Sequence, residues 1–511
     1  MVESFNSILF PPAVSAVVER QEQPQFFADL HLDYIVDAIV AGRKEYDLRP
    51  LFHTPCDNVA TIRYRQDAMR ELERSDIVES TVLFSGAMRR IRSNLKLHDS
   101  LYYKYNKEGT FLDTVGIYCR SVAKYAGVLN AASLTSEAFK LFRDYLNSYL
   151  RSDGFAELSS RTEAMRKELS DVHFSMQFKS GSVTVCRDET DGDYSADVLL
   201  TFEKFSHGIT KKYSTVSNDY YGVGHVQAEI VDRVARLFPE VFEKLDDYCN
   251  EFIAFLDDTI VRFDREVQFY ISYLQYIVRF RVAGLNFCFP VVSSDDKSVF
   301  SSQSFDMALG ERLIKEKKEL VCNDFRLDDS ERIMVVTGPN QGGKTTFSRV
   351  FGQIHYICSL GFHVPGAQAK LLLFDNIFTH FEKEEDASSL RSNLENDLIG
   401  MRDILERAGS RSIIIINEMF NSTTLRDGIL LGKKVLGKIA ELDALCVCVT
   451  FLEELSRLEK AVSLVAAVRQ EDPEIRTFRI FRREADGRSF AITLARKHAL
   501  DREQVRRRLL N

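Results

Sequence analysis

The sequence predicts an α+β multidomain protein, in which long helices and a small β-containing segment precede an α/β domain. A chain of 511 residues is longer than the domains that usually form around a single hydrophobic core, so we expect several domains. Apolar residues recur at helical spacing over most of residues 26–171 and again over 226–284. From residue 326 onward, short apolar runs alternate with helical patterns, which is typical of a parallel sheet covered by helices.

The composition is that of an ordinary globular protein, with 45% hydrophobic and 28% charged residues. The formal net charge of −8, from 67 basic and 75 acidic residues, argues against a globally basic nucleic-acid binder. We find neither an apolar run of membrane-spanning length nor a signal peptide, so we expect a cytoplasmic protein without a membrane partner. The nine cysteines form no CxxC pair, and we expect free thiols, with Cys446 and Cys448 buried in a strand.

Changes in periodicity divide the chain into six segments. The runs "VHFSMQF", "GSVTVCR" and "ADVLLTF" are typical of short strands. The stretch from Phe242 to Phe280 keeps helical spacing, which suggests an extended or coiled-coil-like arm whose aromatic residues form core. The predicted segments are an N-terminal extension (1–25), a helical core (26–171), a small β-containing segment (172–225), returning helices (226–284), an irregular connector with short strands (285–325) and an α/β domain (326–511).

The run "VVTGPNQGGKTT" predicts a phosphate-binding loop. Gly338, Gly343, Lys344 and Thr345 satisfy the pattern G-x-x-x-x-G-K-[ST], and an apolar strand precedes them while a helix follows. Glycines let backbone N–H groups turn towards an anion at a helix N-terminus, and the lysine supplies a charge to the terminal phosphates. We therefore expect ATP and Mg²⁺ as ligands, with Thr345 on the metal. The predicted nucleotide-binding residues of this loop are Gly338, Pro339, Asn340, Gly342, Gly343, Lys344, Thr345 and Thr346.

A second polar group follows the apolar run "SIIIINEM", which ends in Asn417 and Glu418. In P-loop ATPases the corresponding strand usually ends in an aspartate that holds the Mg²⁺ ion. Asn417 occupies that position without a charge, so we expect a weaker metal site. Glu418 is the candidate general base for the attacking water.

The sequence pattern G-P-N-x-G-G-K-[ST]-T is more specific than the general phosphate-loop pattern. Together with "FHVPGAQAKLLLFDNIFTHF", "SSLRSNLEND" and "NEMFNSTTLRDG", it resembles the ATPase domain of the MutS mismatch-repair family over about residues 320–510. The resemblance implies an ABC-type ATPase acting as a homodimer on double-stranded or branched DNA. It also implies that the upstream helices and the small β segment correspond to the family's core, lever and clamp.

The same resemblance adds three groups of site residues. Ser392 corresponds to the signature that reaches the partner subunit's nucleotide and joins Glu418 and Lys344 as a catalytic residue. Leu320 and Val321 lie in the family's adenine-side region, and the loop 421–424 corresponds to one that crosses the dimer interface.

This sequence also departs from the family's pattern. We expect it to lack the N-terminal mismatch-reading and connector domains. Asn417 replaces the aspartate, and Phe451 stands after Thr450 where the family has histidine. The direct DNA-binding signal is limited to a small basic patch at Lys204 and 211–214 and to the basic C-terminal run "ARKHALDREQVRRRLLN".

Three functions remain open on the sequence alone. The first is an ATP-driven protein that opens and closes helical arms around DNA. The second is an ATP-gated protein-interaction scaffold, which the acidic net charge and the small clamp favour. The third is a hydrolysis-poor nucleotide switch, which Asn417 and Phe451 favour.

Overall fold

The computed structural model describes residues 5–14, 18–179, 182–187, 225–381, 393–468 and 476–484. The predicted strand "ADVLLTF", the basic patch around Lys204 and 211–214, Ser392 and the basic C-terminal run lie outside the described residues. None of the helices in the described part of the chain combines the length and the apolar character that a membrane crossing requires.

The described α-helices lie in regions that the sequence predicted to be helical, with the exception of Met307–Lys315. They are Phe26–Leu30, Leu32–Val40, Arg49–His53, Val59–Leu72, Ser75–Ser100, Lys104–Ala131, Glu137–Leu150, Asp153–Ser170, His225–Leu237, Pro239–Glu251, Asp258–Val282, Met307–Lys315, Lys344–Ser359, Asn393–Arg407 and Leu425–Leu442.

The strands are numbered β1 to β14 in chain order. They are β1 Phe174–Lys179, β2 Ser182–Arg187, β3 Phe287–Cys288, β4 Val291–Ser293, β5 Val299–Ser304, β6 Asn323–Leu327, β7 Ile333–Thr337, β8 Val364–Pro365, β9 Gln368–Leu372, β10 Ile377–Phe381, β11 Ile413–Asn417, β12 Leu445–Val449, β13 Ala461–Val468 and β14 Arg476–Arg482. The mixture of helices and sheets confirms the predicted α+β class.

Two compact units share the chain. One comprises residues 1–73, 135–139 and 265–511, and the other comprises 74–134 and 140–264. Residues at the start of the chain thus belong to the same unit as the α/β region. The six linear segments proposed from the sequence remain a prediction.

The unit formed by 74–134 and 140–264 is built from helices around an aromatic core. Phe142 stacks on Phe263 with ring centroids 3.6 Å apart, and the hydroxyl groups of Thr81 and Tyr125 are 2.8 Å apart. Strands β1 and β2 pair in antiparallel fashion, which confirms the first two predicted strands of the small β segment. The aromatic residues between Phe242 and Phe280 are buried, with the exception of Phe252, as the helical spacing predicted.

The predicted arm over Phe242 to Phe280 is not one continuous helix. Pro239–Glu251 and Asp258–Val282 are separate helices, and the chain turns between them. Asp257 ends the turn because its carboxylate accepts a hydrogen bond of 2.9 Å from the backbone N–H of Ile260. Phe255 within the turn is buried against the edge of Tyr118. The apolar periodicity of the sequence continues across the turn because Phe255, although it lies outside both helices, is also buried.

The other unit contains a six-stranded sheet of order β10-β11-β12-β7-β13-β14. The first five strands are parallel, as the alternation of strands and helices predicted, and β14 adds an antiparallel edge that the pattern did not indicate. Strands β7 and β12 are buried along their whole length, because helices cover both faces of a parallel sheet. Cys446 and Cys448 are buried in β12 and all nine cysteines are free, as predicted.

Residues 285–325 are more regular than the sequence suggested. Strands β4 and β5 pair with β9, and β6 pairs with β5, in a four-stranded sheet of order β4-β9-β5-β6. The short strands expected here are confirmed, but the helix Met307–Lys315 was not anticipated. Asp306 caps this helix by accepting a hydrogen bond of 3.0 Å from the N–H of Leu309. The region therefore shares a sheet with a strand of the α/β segment instead of forming an irregular link.

Arg65 is a buried charge that ties distant parts of this unit together. Its guanidinium donates to the carbonyl oxygens of Leu9 (3.0 Å) and Leu360 (3.2 Å). The next residue along the chain, Gly361, has a φ of +83°. A Cβ atom at Gly361 would collide with the Cβ of Arg65.

We expect Gly361→Ala to lower the free energy of unfolding by about 2 to 4 kcal/mol, because it combines a left-handed backbone with overpacking. Gly42 is the matched control, since its φ of +78° is similar but a Cβ added there would meet no atom within 4 Å. Gly42→Ala is expected to cost only about 1 to 2 kcal/mol. Urea unfolding followed by circular dichroism measures both, because the chain has no tryptophan. Equal losses for the two variants would contradict the steric account.

Candidate nucleotide-binding site

The candidate site lies where the central parallel strands end. Asn417 of β11 is in register with Val449 of β12, and Val449 is in register with Val336 of β7. The chain leaves β7 at Thr337, passes through the glycine loop and enters the helix Lys344–Ser359. Carboxyl ends of parallel strands are the usual location of ligand sites in such sheets. The predicted strand–loop–helix context of the phosphate loop is thereby confirmed.

The backbone of the loop requires its glycines. Gly338 has a φ of +122° and Gly343 a φ of +89°, which are conformations that residues with a Cβ rarely adopt. A Cβ on Gly338 or Gly342 would also lie 3.0 Å from Ala466 on the neighbouring strand β13. The loop thus lies directly against β13. Its backbone can turn N–H groups towards an anion only because these side chains are absent.

Lys344 is nearly enclosed, with 5% of its surface exposed. Its ammonium group donates to the carbonyl oxygens of Gly338 (3.0 Å) and Pro339 (3.1 Å) and lies 4.3 Å from the ring centroid of Phe451. Burial lowers the pKa of Lys344, although the negative charge of Glu418 opposes the shift. The charge of Glu418 therefore does not offset the loss of water around the ammonium group, and a phosphate would supply the missing compensation.

Thr345 and Asn417 meet across the strand ends. The Thr345 hydroxyl donates a hydrogen bond of 2.9 Å to Oδ1 of Asn417. The neighbouring residue Glu418 has a φ of +63°, and its N–H donates to the carbonyl of Val449 over 2.9 Å. Asn421 donates to the Glu418 carboxylate over 3.2 Å. The candidate metal-binding and general-base residues are thus adjacent to one another and to Lys344.

A cavity of about 840 Å³ opens beside the loop and is lined by both polar and apolar side chains. The polar lining comes from residues 340–346, Glu418, Asn323, Arg312, Lys318 and Glu319, and the apolar lining from Leu309, Leu313, Leu320, Val321 and Phe478. Leu320 and Val321 therefore line the same cavity as the phosphate loop. Gly338 and Pro339 contribute carbonyl oxygens to Lys344 instead of lining the cavity.

Sequence reasoning missed Leu309, Leu313, Asn323 and Phe478 as lining residues. The spacing of Leu309 and Leu313 is that of residues on one helix face. Both residues lie in the segment that was predicted to be an irregular connector. Asn323 donates to the Phe478 carbonyl over 3.0 Å and accepts from the N–H of Ile480 over 2.7 Å. Phe478 has a φ of +55° and half of its side chain is exposed. No local pattern marks a residue whose neighbour is 155 positions away.

Two further elements were predicted for the site, namely Ser392 and the loop 421–424. Ser392 lies outside the described residues. The loop 421–424 is described, and Thr424 ends it by capping the next helix with a hydrogen bond of 3.2 Å from the N–H of Asp427. Within the described residues there is no group of three or more His, Cys, Asp or Glu side chains that could hold a metal ion alone. Thr345 and Asn417 would share a metal with a ligand's phosphates.

A parallel sheet, a glycine loop leading into a helix, and polar residues at the neighbouring strand end together define the architecture of P-loop nucleotide-binding proteins. Residues 334–508 match the family model for MutS domain V. The chain is 25% identical over 378 residues to a DNA mismatch repair protein MutS of Chlorobium phaeovibrioides, covering 70% of this chain and 42% of that protein.

Two further relatives match over shorter stretches. The chain is 29% identical over 176 residues to the mouse DNA mismatch repair protein Msh3, covering 34% of this chain and 16% of Msh3. It is 30% identical over 166 residues to the MutS of Thermotoga maritima, covering 32% of this chain and 21% of that protein. The chain thus spans less than half the length of these relatives. Residues 334–508 are thus related to MutS domain V, and this region carries most of the similarity.

We expect Lys344→Met to weaken nucleoside triphosphate binding about tenfold to a hundredfold, the usual range for one hydrogen bond to a charged group. The lowered pKa of Lys344 means that its charge opposes folding at neutral pH. The ammonium group of Lys344 has a higher affinity for its proton in the unfolded chain than in the folded protein. The free energy of unfolding therefore rises only when the pH increases through the pKa that Lys344 has in the folded protein. The ligand-free variant should therefore unfold within about 1 kcal/mol of the parent protein. Calorimetric titration and urea unfolding measure the two effects, and a large loss of stability would contradict this account.

Proposed function

We propose that the protein binds and hydrolyses ATP in a site completed by a second copy of the chain, and that it couples this cycle to DNA binding of the MutS type. The single observation that carries the proposal is the cavity in which Lys344, Thr345 and Glu418 meet. The relatives are named as DNA mismatch repair proteins, and they supply the DNA part of the proposal.

The polar and the apolar parts of the cavity lining suit the two chemically different parts of ATP. The phosphates fit the loop of residues 338–346, because the glycine backbone and the buried Lys344 both favour an anion. The adenine ring would lie against the apolar lining, to which Leu320, Val321 and Phe478 belong. An aromatic side chain in this lining offers a stacking surface for a base.

Thr345 and Asn417 would hold Mg²⁺. Both present oxygen atoms at the strand ends, and hard cations prefer oxygen ligands. When bound, the ion neutralises charge on the transferred phosphoryl group. Because Asn417 carries no charge, we expect more Mg²⁺ to be needed than with an aspartate at this position.

Glu418 is the candidate base for the attacking water. Its carboxylate lines the cavity on the side of the phosphate loop, and its backbone is held by β12. A carboxylate at this position can orient a water molecule and accept its proton. The role of Ser392 of a second copy, which would meet the γ-phosphate, remains a proposal from the resemblance.

The surface beside the loop 421–424 is suited to an interface. Leu425 is 66% exposed and Leu430 is 54% exposed on the helix that follows this loop. Exposed apolar side chains close to a predicted dimer contact would be covered by a second copy. ATP bound between two copies would then stabilise the dimer.

A second candidate function is a nucleotide switch that binds ATP but hydrolyses it very slowly. Two observations favour it, namely the uncharged Asn417 beside Thr345 and the aromatic ring of Phe451 beside Lys344. Neither side chain can accept a proton from water or supply a negative charge to the metal. The switch would act through ATP-dependent dimerisation alone.

Steady-state hydrolysis distinguishes the two candidates. We expect Mg²⁺-dependent ATP turnover that rises with duplex or branched DNA, and a loss of about a hundredfold or more in Glu418→Gln, because a general base contributes that much. ATP affinity should be unchanged in this variant. Retained ATP binding without turnover in the parent protein would favour the switch, and turnover insensitive to DNA would remove the DNA part of the proposal.

Dimerisation is tested by sedimentation with ATP and Mg²⁺. We expect Leu425→Asp to weaken the dimer about tenfold or more, because a buried leucine contributes about 1.5 to 3 kcal/mol. Val282→Asp is the matched control, since Val282 is 82% exposed in the same compact unit and lies far along the sequence from the loop 421–424. An equal effect of both changes, or none from Leu425→Asp, would contradict the proposed interface.

A further inference from the structure

The carboxylate of Asp397 joins two segments that flank the candidate site. One oxygen, Oδ1, lies 3.0 Å from Nε2 of His380 at the end of β10. The other oxygen, Oδ2, accepts a hydrogen bond of 3.0 Å from the backbone N–H of Phe420. Asp397 itself lies in the first turns of the helix Asn393–Arg407. A single side chain therefore links β10, this helix and the loop that carries Glu418.

That loop has a conformation which local sequence does not favour. Glu418 has a φ of +63° and Phe420 a φ of +60°, and neither residue is a glycine. Side chains with a Cβ are disfavoured in this region, so the surrounding contacts must hold the backbone there. The N–H of Glu418 is held by the carbonyl of Val449. The N–H of Phe420 is held by Asp397, which is the second fixed point of the turn.

Burial strengthens this link. Phe420 is 2% exposed, so its N–H needs a protein partner. The side chains of His380 and Asp397 are also mostly enclosed. A hydrogen bond from a backbone N–H to a carboxylate is among the stronger kinds, and more so away from water. For Nε2 of His380 to donate, the ring must carry its proton on that nitrogen.

The helix Asn393–Arg407 packs closely against the ring of His380. A Cβ on Gly400 would lie 3.1 Å from Nδ1 of the His380 ring. Gly400 is on the same helix as Asp397, so the helix approaches the ring closely at one position and contacts it by hydrogen bond at another. The ring orientation is thus restricted from two sides.

We propose that Asp397 and His380 are positioning residues that hold the Glu418 loop in the conformation needed for hydrolysis. The inference rests on the proposed ATPase function for its kinetic part only. Asp397 fixes the turn two residues after Glu418, and His380 fixes the carboxylate of Asp397. Neither residue lines the nucleotide cavity among the described residues. Their loss should change catalysis without changing nucleotide binding, because Lys344 and the phosphate loop do not depend on them.

The first test compares Asp397→Ala with Asp403→Ala in the full chain. Asp403 is the matched control, because it lies on the same helix but is exposed and pairs with Arg402. We expect Asp397→Ala to lower kcat by about tenfold to a hundredfold, since small misplacements of catalytic groups have effects of that order. The KM and Kd for ATP should stay within about twofold, and Asp403→Ala should resemble the parent protein.

Amide hydrogen exchange supplies a readout that does not require turnover. The Phe420 amide should exchange about tenfold to a hundredfold faster in Asp397→Ala, because it loses a hydrogen bond to a charged acceptor. Asp397→Asn should keep most of this protection, since its carbonyl oxygen can still accept from the Phe420 N–H. His380→Ala should show a smaller acceleration, because Asp397 remains but is less restrained.

The outcomes separate the two proposals. A parent protein without turnover, but with faster Phe420 exchange in Asp397→Ala, would reject hydrolysis and support the structural link. Unchanged kcat and unchanged exchange in Asp397→Ala would overturn the inference and leave the ATPase proposal intact. An equal loss of ATP affinity and kcat would also overturn it, because Asp397 would then support the whole domain. If Asp397→Ala does not fold, the exchange rates in Asp397→Asn and His380→Ala decide.

Discussion

The parallel pairing of β7 with both β12 and β13 is the constraint on which the site depends. Buried strands must satisfy their backbone groups within the sheet, so β7, β11 and β12 all end at the same edge. That edge receives the phosphate loop, Asn417 and Glu418 from separate places in the chain. The close approach of Ala466 to Gly338 and Gly342 shows how little space this pairing leaves for the loop. A loop with other residues could not occupy the same position beside β13.

The site holds several groups at an energetic cost that the rest of the sheet must offset. Lys344 is buried with a lowered pKa, and the residues Glu418 and Phe420 occupy left-handed backbone conformations. Each feature lowers the stability of the ligand-free protein. Each is also suited to function, because a buried cation favours phosphate and a restrained turn directs a carboxylate. Strain and buried charge concentrated at one edge of a sheet are characteristic of functional sites.

The apolar lining of the cavity shows how the less regular part of the unit contributes to the site. The helix Met307–Lys315 supplies Leu309 and Leu313, and Phe478 comes from the edge strand β14. Asn323, at the start of β6, connects these regions through its hydrogen bonds to β14. The second sheet therefore does more than link the helical regions to the α/β region. Through Asn323 it is hydrogen-bonded to the edge strand β14, which contributes Phe478 to the cavity lining.

The sequence by itself determined the strand–loop–helix unit, the alternation of strands and helices, the long helices, and the phosphate loop with Glu418. These features are local, since a period of two or 3.6 residues and a glycine pattern are complete within about twenty positions. Only the tertiary structure decided the interruption between Glu251 and Asp258, the sheet formed by 285–325, and the roles of Asn323 and Phe478 in the cavity. It also decided the contact of Asp397 with Phe420. These features depend on contacts between segments that are far apart in the sequence. Neither the spacing of residue types nor the composition indicates which segments make such contacts.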